Sequence, residues 1–164
     1  MNPSNQPWWR GRRGEWYVVA QVALLLAIIL GPTTLAGLPP WPAGLISASS
    51  IAGMVLLAVG GLVSLLAVVN LGSNLTPLPH PKDGATLVVS GMYRFVRHPI
   101  YFGVIVMAAG FALSVHGCVT LAEAATLALF FDIKSRHEEI WLSEHFPAYA
   151  AYQQRVRKLI PFVY

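Results

Sequence analysis

The segment that most constrains the fold is the stretch from residue 45 to residue 69, which contains no Asp, Glu, Lys or Arg. About 20 consecutive apolar residues are enough for a helix to cross a bilayer, so this segment is long enough to span a membrane. The whole chain agrees, because 55% of its residues are hydrophobic and only 11% are charged. Soluble domains carry about 25% charged residues. The composition therefore predicts an integral membrane protein, and it excludes a disordered chain.

Three further apolar segments are candidates for spanning helices, and they cover residues 16–38, 100–115 and 118–131. The last of these continues into a polar segment, residues 132–145, that still has a helical pattern. Beyond it, Tyr149 and Tyr152 lie one helical turn apart and precede a basic run, as in an amphipathic surface helix. We predict an all-α polytopic membrane protein with about four transmembrane helices and a cytoplasmic C-terminal amphipathic helix. All 164 residues would form one membrane domain, with a helical pair at 1–69 and a functional core at 70–164.

The distribution of basic residues predicts the orientation of the chain. Every Lys and Arg precedes the first span, lies between the second and third, or follows the fourth: Arg10, Arg12, Arg13, Lys82, Arg94, Arg97, Lys134, Arg136, Arg155, Arg157 and Lys158. The other two connections, residues 33–44 and 116–117, have none, so both termini should be cytoplasmic. The net charge of +4 is then explained by orientation and lipid headgroups rather than by nucleic acid. In a bacterium, this membrane would be the inner or plasma membrane.

A polar segment before the third span offers a possible anion site. Pro99 is placed to open a helix and His98 to occupy its N-cap, with Arg94 and Arg97 beside them. Free backbone N–H groups and the helix dipole at such a terminus attract anions. Tyr93 and Tyr101 add aromatic faces and hydroxyls at the same place. An alternative is that these residues form an ordinary aromatic and basic belt at the membrane interface.

Glu138 and Glu139 form an adjacent carboxylate pair just beyond the fourth span, in a chain with only 7 acidic residues. The ordinary interpretation is a salt bridge between Lys134 and Glu138, which are four residues apart on a helix. A functional interpretation is that these carboxylates share one membrane face with the anion site. The single cysteine excludes an intramolecular disulfide and a cysteine-built zinc site, and we predict no metal ligands.

Residues 91–103, GMYRFVRHPIYFG, resemble the G-P-Y-R-x-x-R-H-P-x-Y-x-G signature of the isoprenylcysteine carboxyl methyltransferase family. The related membrane phospholipid methyltransferases share that signature in looser form. The family's ending, E-E-x-x-L…F…Y-x-x-Y…P, is similar to residues 138–161. Two positions depart from the family pattern: Met92 replaces a proline, and Phe146-Pro147 replaces a common Phe-Gly.

The resemblance implies an enzyme that transfers a methyl group from S-adenosyl-L-methionine, within a membrane-embedded site open to the cytoplasm. Matched by motif position, the implied cofactor-binding residues are Tyr93, His98, Pro99, Tyr101, Gly103, Glu138 and Glu139. Arg94, Arg97 and Glu138 are the implied catalytic residues, with the arginines holding the oxygens of a carboxylate acceptor. A carboxylate needs no base, whereas an amine must lose a proton, so a carboxylate or thiol acceptor is favoured. The substrate would be a lipid or a lipidated small molecule, whose tail enters between spans beside the glycines of the second span.

Three other functions remain open at this stage. The chain could methylate the amine of a phospholipid, or it could be an inactive membrane adaptor of the same fold, as the change at Met92 allows. A small transporter would need ionisable groups within the spans, and only Glu123 and Asp132 stand near such positions. The sequence does not specify the oligomeric state.

Overall fold

The computed structural model describes residues 14–80 and 84–164. Its helices are α1 (Glu15–Leu30), α2 (Ala43–Leu71), α3 (Pro99–Ser114), α4 (Cys118–His145) and α5 (Tyr149–Arg155). Two 3₁₀ turns, Gly72–Asn74 and Gly91–Arg94, flank the connection between α2 and α3. Within the described ranges there is no strand, only an isolated parallel bridge between Val96 and Arg157. The predicted all-helical class is confirmed for this part of the chain.

The helix boundaries follow the predicted segments except at the end of the first. Segments 45–69 and 100–115 correspond to α2 and α3, and segments 118–131 and 132–145 form the single helix α4. The first segment was expected to reach residue 38, but α1 ends at Leu30. Gly31 adopts an extended conformation before Pro32, because a residue before proline avoids helical geometry. The expectation for residues 31–38 is therefore wrong.

Among the described residues, one helical segment, Ala43–Asn74, is both long and apolar enough to cross a membrane. Its most apolar window has a mean hydropathy of 2.5, and only 17% of that window is buried inside the protein. Side chains such as Leu62 and Leu65 are consequently exposed on its outer surface. Two shorter apolar helices, Glu15–Leu30 and Pro99–Ser114, accompany it. Such a continuous uncovered apolar surface requires an apolar environment.

Glycines bring α2 and α3 into backbone contact along an antiparallel seam. A Cβ atom built on Gly60 would lie 2.5 Å from the carbonyl oxygen of Gly103, and one on Gly53 would lie 2.6 Å from that of Gly110. Only glycine permits so close an approach, as in the small-residue interfaces of membrane helices. The seam leaves no room for a lipid tail beside Gly53 or Gly60, contrary to the entry route predicted from the sequence.

Helix α4 connects the apolar body of the protein to its polar end. Its first half packs Leu127 and Phe131 against Ile28 of α1 and Ala108 of α3 in the hydrophobic core. Its second half projects beyond this core and carries Lys134, Glu138 and Glu139.

The C-terminal segment folds back on α3 and α4 instead of leaving the protein. The backbone N–H groups of Arg97 and His98 donate to the carbonyl oxygens of Arg157 and Lys158, at 2.8 and 3.1 Å. Lys158 forms an ion pair with Asp132 of α4 and donates to the hydroxyl of Tyr164. Helix α5 buries its tyrosines against the protein, with Tyr149 and Tyr152 only 1% and 4% exposed. Four of the basic residues used to predict orientation, Arg10, Arg12, Arg13 and Lys82, lie outside the described residues.

The seam predicts different effects of alanine at two neighbouring glycines. We expect Gly60→Ala to lower the melting temperature in detergent, because its methyl group would meet the backbone of α3. Gly61→Ala is the matched control, since its methyl group would meet only the sulfur of Met107 at 3.6 Å. It should leave the melting temperature unchanged or raise it, as alanine is the better helix former by about 1 kcal/mol. Equal melting temperatures for the two variants would contradict backbone contact at this seam.

Candidate active site

A largely buried carboxylate, that of Glu139 with 11% of its side chain exposed, organises the polar end of the protein. The Nε atom of Arg97 lies 2.7 Å from Oε1 of Glu139, and its Nη2 atom lies 3.1 Å from Oε2. Such a paired arrangement is the strongest geometry for an arginine–carboxylate contact. The remaining Nη1 atom of Arg97 donates to the carbonyl oxygens of Gln153 and Val156. Four of the five N–H donors of Arg97 are therefore engaged by α4, α5 and the C-terminal segment.

Two more side chains bond to Glu139. The Nε2 atom of His98 lies 3.0 Å from Oε1, and Nε2 of Gln153 donates to Oε2 at 3.1 Å. Burial favours the neutral acid, but the hydrogen bonds and charges of His98 and Arg97 outweigh burial and lower the pKa of Glu139 to about 2. His98 does occupy the N-cap position of α3, as predicted, yet its side chain makes no cap hydrogen bond. The imidazole instead connects α3 to α4.

The neighbouring carboxylate, Glu138, belongs to a stack of aromatic rings. The hydroxyl of Tyr101 donates to Oε2 of Glu138 at 2.7 Å. The rings of His98 and Tyr101 are parallel, with centroids 5.4 Å apart, and the ring of Phe131 also stacks on that of Tyr101, at 4.5 Å. The Nδ1 atom of His98 lies 3.8 Å from Oε2 of Glu138. The two adjacent carboxylates are thus held from opposite sides of one imidazole ring.

Three buried tyrosines continue this site toward α5. The hydroxyl of Tyr152 donates to the backbone oxygen of Tyr93 at 2.5 Å, which joins α5 to the 3₁₀ turn before α3. The hydroxyl of Tyr149 is buried and has no hydrogen-bond partner among the described residues. Burial raises the pKa of all three phenols, so they remain protonated donors at neutral pH. A buried donor without a partner normally destabilises a fold. The hydroxyl of Tyr149 is therefore a candidate hydrogen-bond donor to a ligand.

Lys134 is buried in the same region, with 1% of its surface exposed. Its Nζ atom donates to Oε1 of Gln21 at 2.6 Å and to the carbonyl oxygen of Pro77 at 3.3 Å. It lies 5.1 Å from the centroid of the Tyr101 ring. Burial lowers the pKa of Lys134, and the charge of Glu138 acts in the opposite direction. The expected salt bridge between Lys134 and Glu138 does not form within 4.0 Å among the described residues.

These groups surround a cavity of about 320 Å³ that has a polar end and an apolar wall. The polar end is lined by Gln21, Tyr93, Arg97, His98, Tyr101, Lys134, Glu138, Tyr149 and Tyr152. The apolar wall comes from the end of α2, the connection after it, and α4, and includes Val68, Leu71, Leu75, Leu78, Leu87, Val88 and Leu142. A site with one ionisable end and one apolar wall suits a polar molecule beside a lipid-like one.

The connection that covers the cavity is fixed by two asparagines. Oδ1 of Asn74 accepts the backbone N–H of Thr86 at 3.0 Å, and Oδ1 of Asn70 accepts that of Met92 at 2.8 Å. The second bond accounts for a departure from the family signature, because proline in place of Met92 would have no N–H to donate. Gly91 is required there, since φ is +60° and a Cβ atom would lie 2.2 Å from Oδ1 of Asn70.

The predicted site residues fall into two groups. Five of them line the cavity: Tyr93, Arg97, His98, Tyr101 and Glu138. The other four stand behind it or away from it: Glu139 bonds to Arg97 and His98, Pro99 begins α3, Gly103 contacts α2, and Arg94 is exposed with its guanidinium over Phe95.

Sequence reasoning missed four residues at the polar end of the cavity: Gln21, Lys134, Tyr149 and Tyr152. Tyr149 belongs to the matched family ending, so its motif position was an available signal. Lys134 was visible only as a possible partner of Glu138, and Gln21 is the polar residue of an otherwise apolar part of α1. Their contact joins residues 113 positions apart in the chain, which no local pattern reveals.

Comparison with known proteins supports the family resemblance. The sequence model of the family described as "phospholipid methyltransferase" matches residues 48–149. A probable protein-S-isoprenylcysteine O-methyltransferase from rice, Oryza sativa subsp. indica, is 32% identical over 118 residues, which are 70% of this chain and 62% of the rice protein. A cobalt-zinc-cadmium resistance protein from Cupriavidus metallidurans is 29% identical over 93% of this chain and 64% of its own length. The chain thus spans less than two thirds of the length of these relatives.

The fold also matches a solved membrane protein. The structure of the eukaryotic intramembrane Ras methyltransferase ICMT (isoprenylcysteine carboxyl methyltransferase) superimposes with a TM-score of 0.64. The match covers 93% of this chain and 54% of that one, at 23% sequence identity. The likeness therefore concerns the fold. Because the family's sequence model matches more than half of the chain, this protein belongs to the phospholipid methyltransferase family.

Proposed function

We propose that the protein is an integral membrane methyltransferase that uses S-adenosyl-L-methionine to methylate a lipid-embedded acceptor. The observation that carries this proposal is the two-sided cavity, where ionisable and aromatic groups meet an apolar wall in a chain of this family. Its volume of about 320 Å³ lies within the range of small-molecule sites, about 300–1,000 Å³.

The residues present fit S-adenosyl-L-methionine. The partnerless hydroxyl of Tyr149 supplies a donor, and Glu138 supplies a carboxylate whose Oε1 atom accepts no hydrogen bond from the described part of the chain. Glu138 would bind the ammonium group of this cofactor, with His98, Tyr101 and Tyr93 around it. When bound, the cofactor supplies an electrophilic methyl group on a sulfonium.

The chain's own residues bind, orient and exclude water. Glu139 and Arg97 act as positioning residues, because their mutual bonds hold His98 in place. Pro99 and Gly103 position α3, the first by starting the helix and the second by its contact with α2. Arg94 is exposed, and we assign it to lipid headgroups at the membrane surface rather than to the acceptor.

Two acceptor classes are compatible with this site. The rice relative is named as a methyltransferase of isoprenylcysteine that methylates oxygen, which favours a carboxylate acceptor on a lipidated molecule. The family description favours a phospholipid amine as the second candidate. An amine acceptor must lose a proton, and Glu138 is the carboxylate that lines the cavity to receive it.

We propose four spanning segments within one membrane domain, formed by α1, α2, α3 and the first half of α4. The charge distribution supports cytoplasmic termini and a cytoplasmic active site, since the connections at 33–44 and 116–117 have no basic residue.

Two tyrosines give the sharpest test of the binding site. Tyr149→Phe should weaken the binding of S-adenosylhomocysteine about three- to tenfold, the effect of one lost hydrogen bond. It should leave the melting temperature unchanged or higher, because the hydroxyl has no protein partner to lose. Isothermal titration calorimetry in detergent measures the first quantity, and a thermal melt measures the second.

Tyr152→Phe is the matched control. Its hydroxyl donates to Tyr93, so this variant should lower the melting temperature. The proposed function is wrong if the wild-type protein binds no S-adenosylhomocysteine. A Tyr149→Phe variant with full affinity would remove Tyr149 from the cofactor site.

Glu139→Gln should reduce stability in a pH-dependent way. Ionised Glu139 has its pKa lowered from 4.5 to about 2, so it stabilises the folded state above pH 4.5 and loses that effect as pH falls toward 2. The melting-temperature difference between wild type and variant should thus be full near neutral pH and shrink in acid. A constant difference across this range would show that the glutamine acts through shape alone.

The lone cysteine tests the proposed orientation. Cys118 begins α4 and is exposed, and the four-span arrangement puts it on the side opposite to the active site. In sealed vesicles whose outer face is the non-cytoplasmic one, a membrane-impermeant maleimide should label Cys118. A Cys118→Ser, Arg155→Cys variant should be labelled only after permeabilisation, and the reverse pattern would invert the proposed topology.

A further inference from the structure

Lys134 is a buried cation with two neutral partners. Both oxygens that accept from its Nζ atom, those of Gln21 and Pro77, are uncharged. No carboxylate lies within 4.0 Å of it among the described residues. An ammonium group has three N–H donors, so these two contacts leave one donor available. Lys134 also lines the cavity, which places this donor beside the proposed site.

The other charges near the cavity already have partners. The charge of Arg97 is neutralised by Glu139, and four of its five N–H donors are engaged within the protein. Glu138 accepts from Tyr101 and, in the proposed function, binds the cofactor's ammonium group. Among the described residues that line the cavity, Lys134 is then the cation without a carboxylate in contact. A buried charge without a counter-charge is unfavourable by several kcal/mol, and an anionic ligand removes that penalty.

We propose that Lys134 is the residue that binds the carboxylate of the methyl acceptor favoured above. The inference rests on the proposed function, which supplies the acceptor class, and it adds the residue that selects this acceptor. It also transfers to Lys134 the acceptor-binding role that the sequence suggested for Arg94 and Arg97.

The surroundings of Lys134 fit both ends of such an acceptor. Its Nζ atom lies over the Tyr101 ring, and the hydroxyl of that ring bonds to Glu138. A carboxylate at Lys134 is therefore next to the polar end of the cavity. Pro77, the second partner of Lys134, belongs to the connection that contributes Leu75 and Leu78 to the apolar wall. A lipid tail attached to the carboxylate can follow that wall.

The reaction balances without a base. A carboxylate oxygen forms a bond to the methyl carbon while the carbon–sulfur bond breaks, and the electron pair of that bond remains on sulfur. The products are a methyl ester and a neutral thioether, and no proton moves. Lys134 orients the carboxylate through one oxygen, while the other oxygen is the nucleophile.

Three probes of matched lipid character test the acceptor class on the wild-type protein. They are an N-acetylated S-farnesylcysteine, its carboxamide, and a phosphatidylethanolamine. Binding is measured by calorimetry in the presence of S-adenosylhomocysteine, and methyl transfer is measured with labelled cofactor. We expect the carboxylate to bind at least about tenfold more tightly than the carboxamide, the effect of one charge-assisted hydrogen bond. It should also be the probe that is methylated.

Variants of Lys134 test the residue. Lys134→Gln should raise the Kd and KM of the carboxylate about tenfold to a hundredfold, with a smaller change in kcat. The Kd of S-adenosylhomocysteine should stay within about threefold, because the acceptor's anion and not the cofactor is the ligand of Lys134. Lys134→Arg should restore part of the acceptor affinity. Arg136→Gln is the matched control, since it removes one cation from an exposed position on the same helix.

Several results would overturn the proposal. If the wild-type protein binds the carboxylate and the carboxamide probes equally, the proposal is overturned. This result needs no variant, so it holds even if Lys134→Gln fails to fold. Methylation of phosphatidylethanolamine alone would assign Lys134 to a phosphate and the methyl group to an amine. Loss of S-adenosylhomocysteine binding in a folded Lys134→Gln variant would make Lys134 a cofactor residue. If the wild-type protein binds no S-adenosylhomocysteine, the proposed function fails and this inference fails with it.

Discussion

The bonds of the Glu139 carboxylate hold the polar end of this protein together. A carboxylate with an 11% exposed side chain can remain ionised only if surrounding donors replace water, and here Arg97, His98 and Gln153 do so. These three residues come from the start of α3 and from α5, whereas Glu139 itself lies on α4. The requirement to satisfy one buried charge therefore fixes three segments that are distant in sequence. The carbonyl oxygens of Gln153 and Val156 accept hydrogen bonds from Nη1 of Arg97. These bonds also hold the C-terminal segment against the rest of the protein.

Adjacent residues on α4 divide two tasks because successive side chains on a helix point about 100° apart. Glu139 faces α5 and the C-terminal segment, where it stabilises the fold. Glu138 faces the cavity, where one of its oxygens accepts from Tyr101. His98 lies between the two carboxylates and contacts both. A change at Glu139 is thus transmitted to the cavity through His98, without any direct contact between Glu139 and a ligand.

The parts of this structure that follow from local pattern could be predicted from the sequence. Charge-free apolar segments predicted α2 and α3, and the family signature identified Tyr93, His98, Tyr101 and Glu138 as one site. The predicted end of the first segment was wrong because Pro32 keeps Gly31 out of helical geometry, although the apolar composition continues beyond it. Lys134 and Gln21 could not be predicted, since a contact over 113 positions depends on how α1 packs against α4. Sequence spacing alone favoured the local partner of Lys134, Glu138, which packing excludes from contact.

Two kinds of buried or half-buried polar group occur at the polar end of this protein, and they differ in whether the protein itself satisfies them. Glu139 with Arg97, and Asp132 with Lys158, are satisfied within the protein and hold its segments together. The hydroxyl of Tyr149 has no partner, and Lys134 has no counter-charge within contact among the described residues. Unsatisfied groups of the second kind oppose folding, so a stable protein tolerates them mainly where a ligand completes them. Both line the same cavity, and they differ in charge type: one is a neutral donor and the other a cation. That difference is what two ligands of unlike chemistry, a cofactor and an anionic acceptor, require of a shared site.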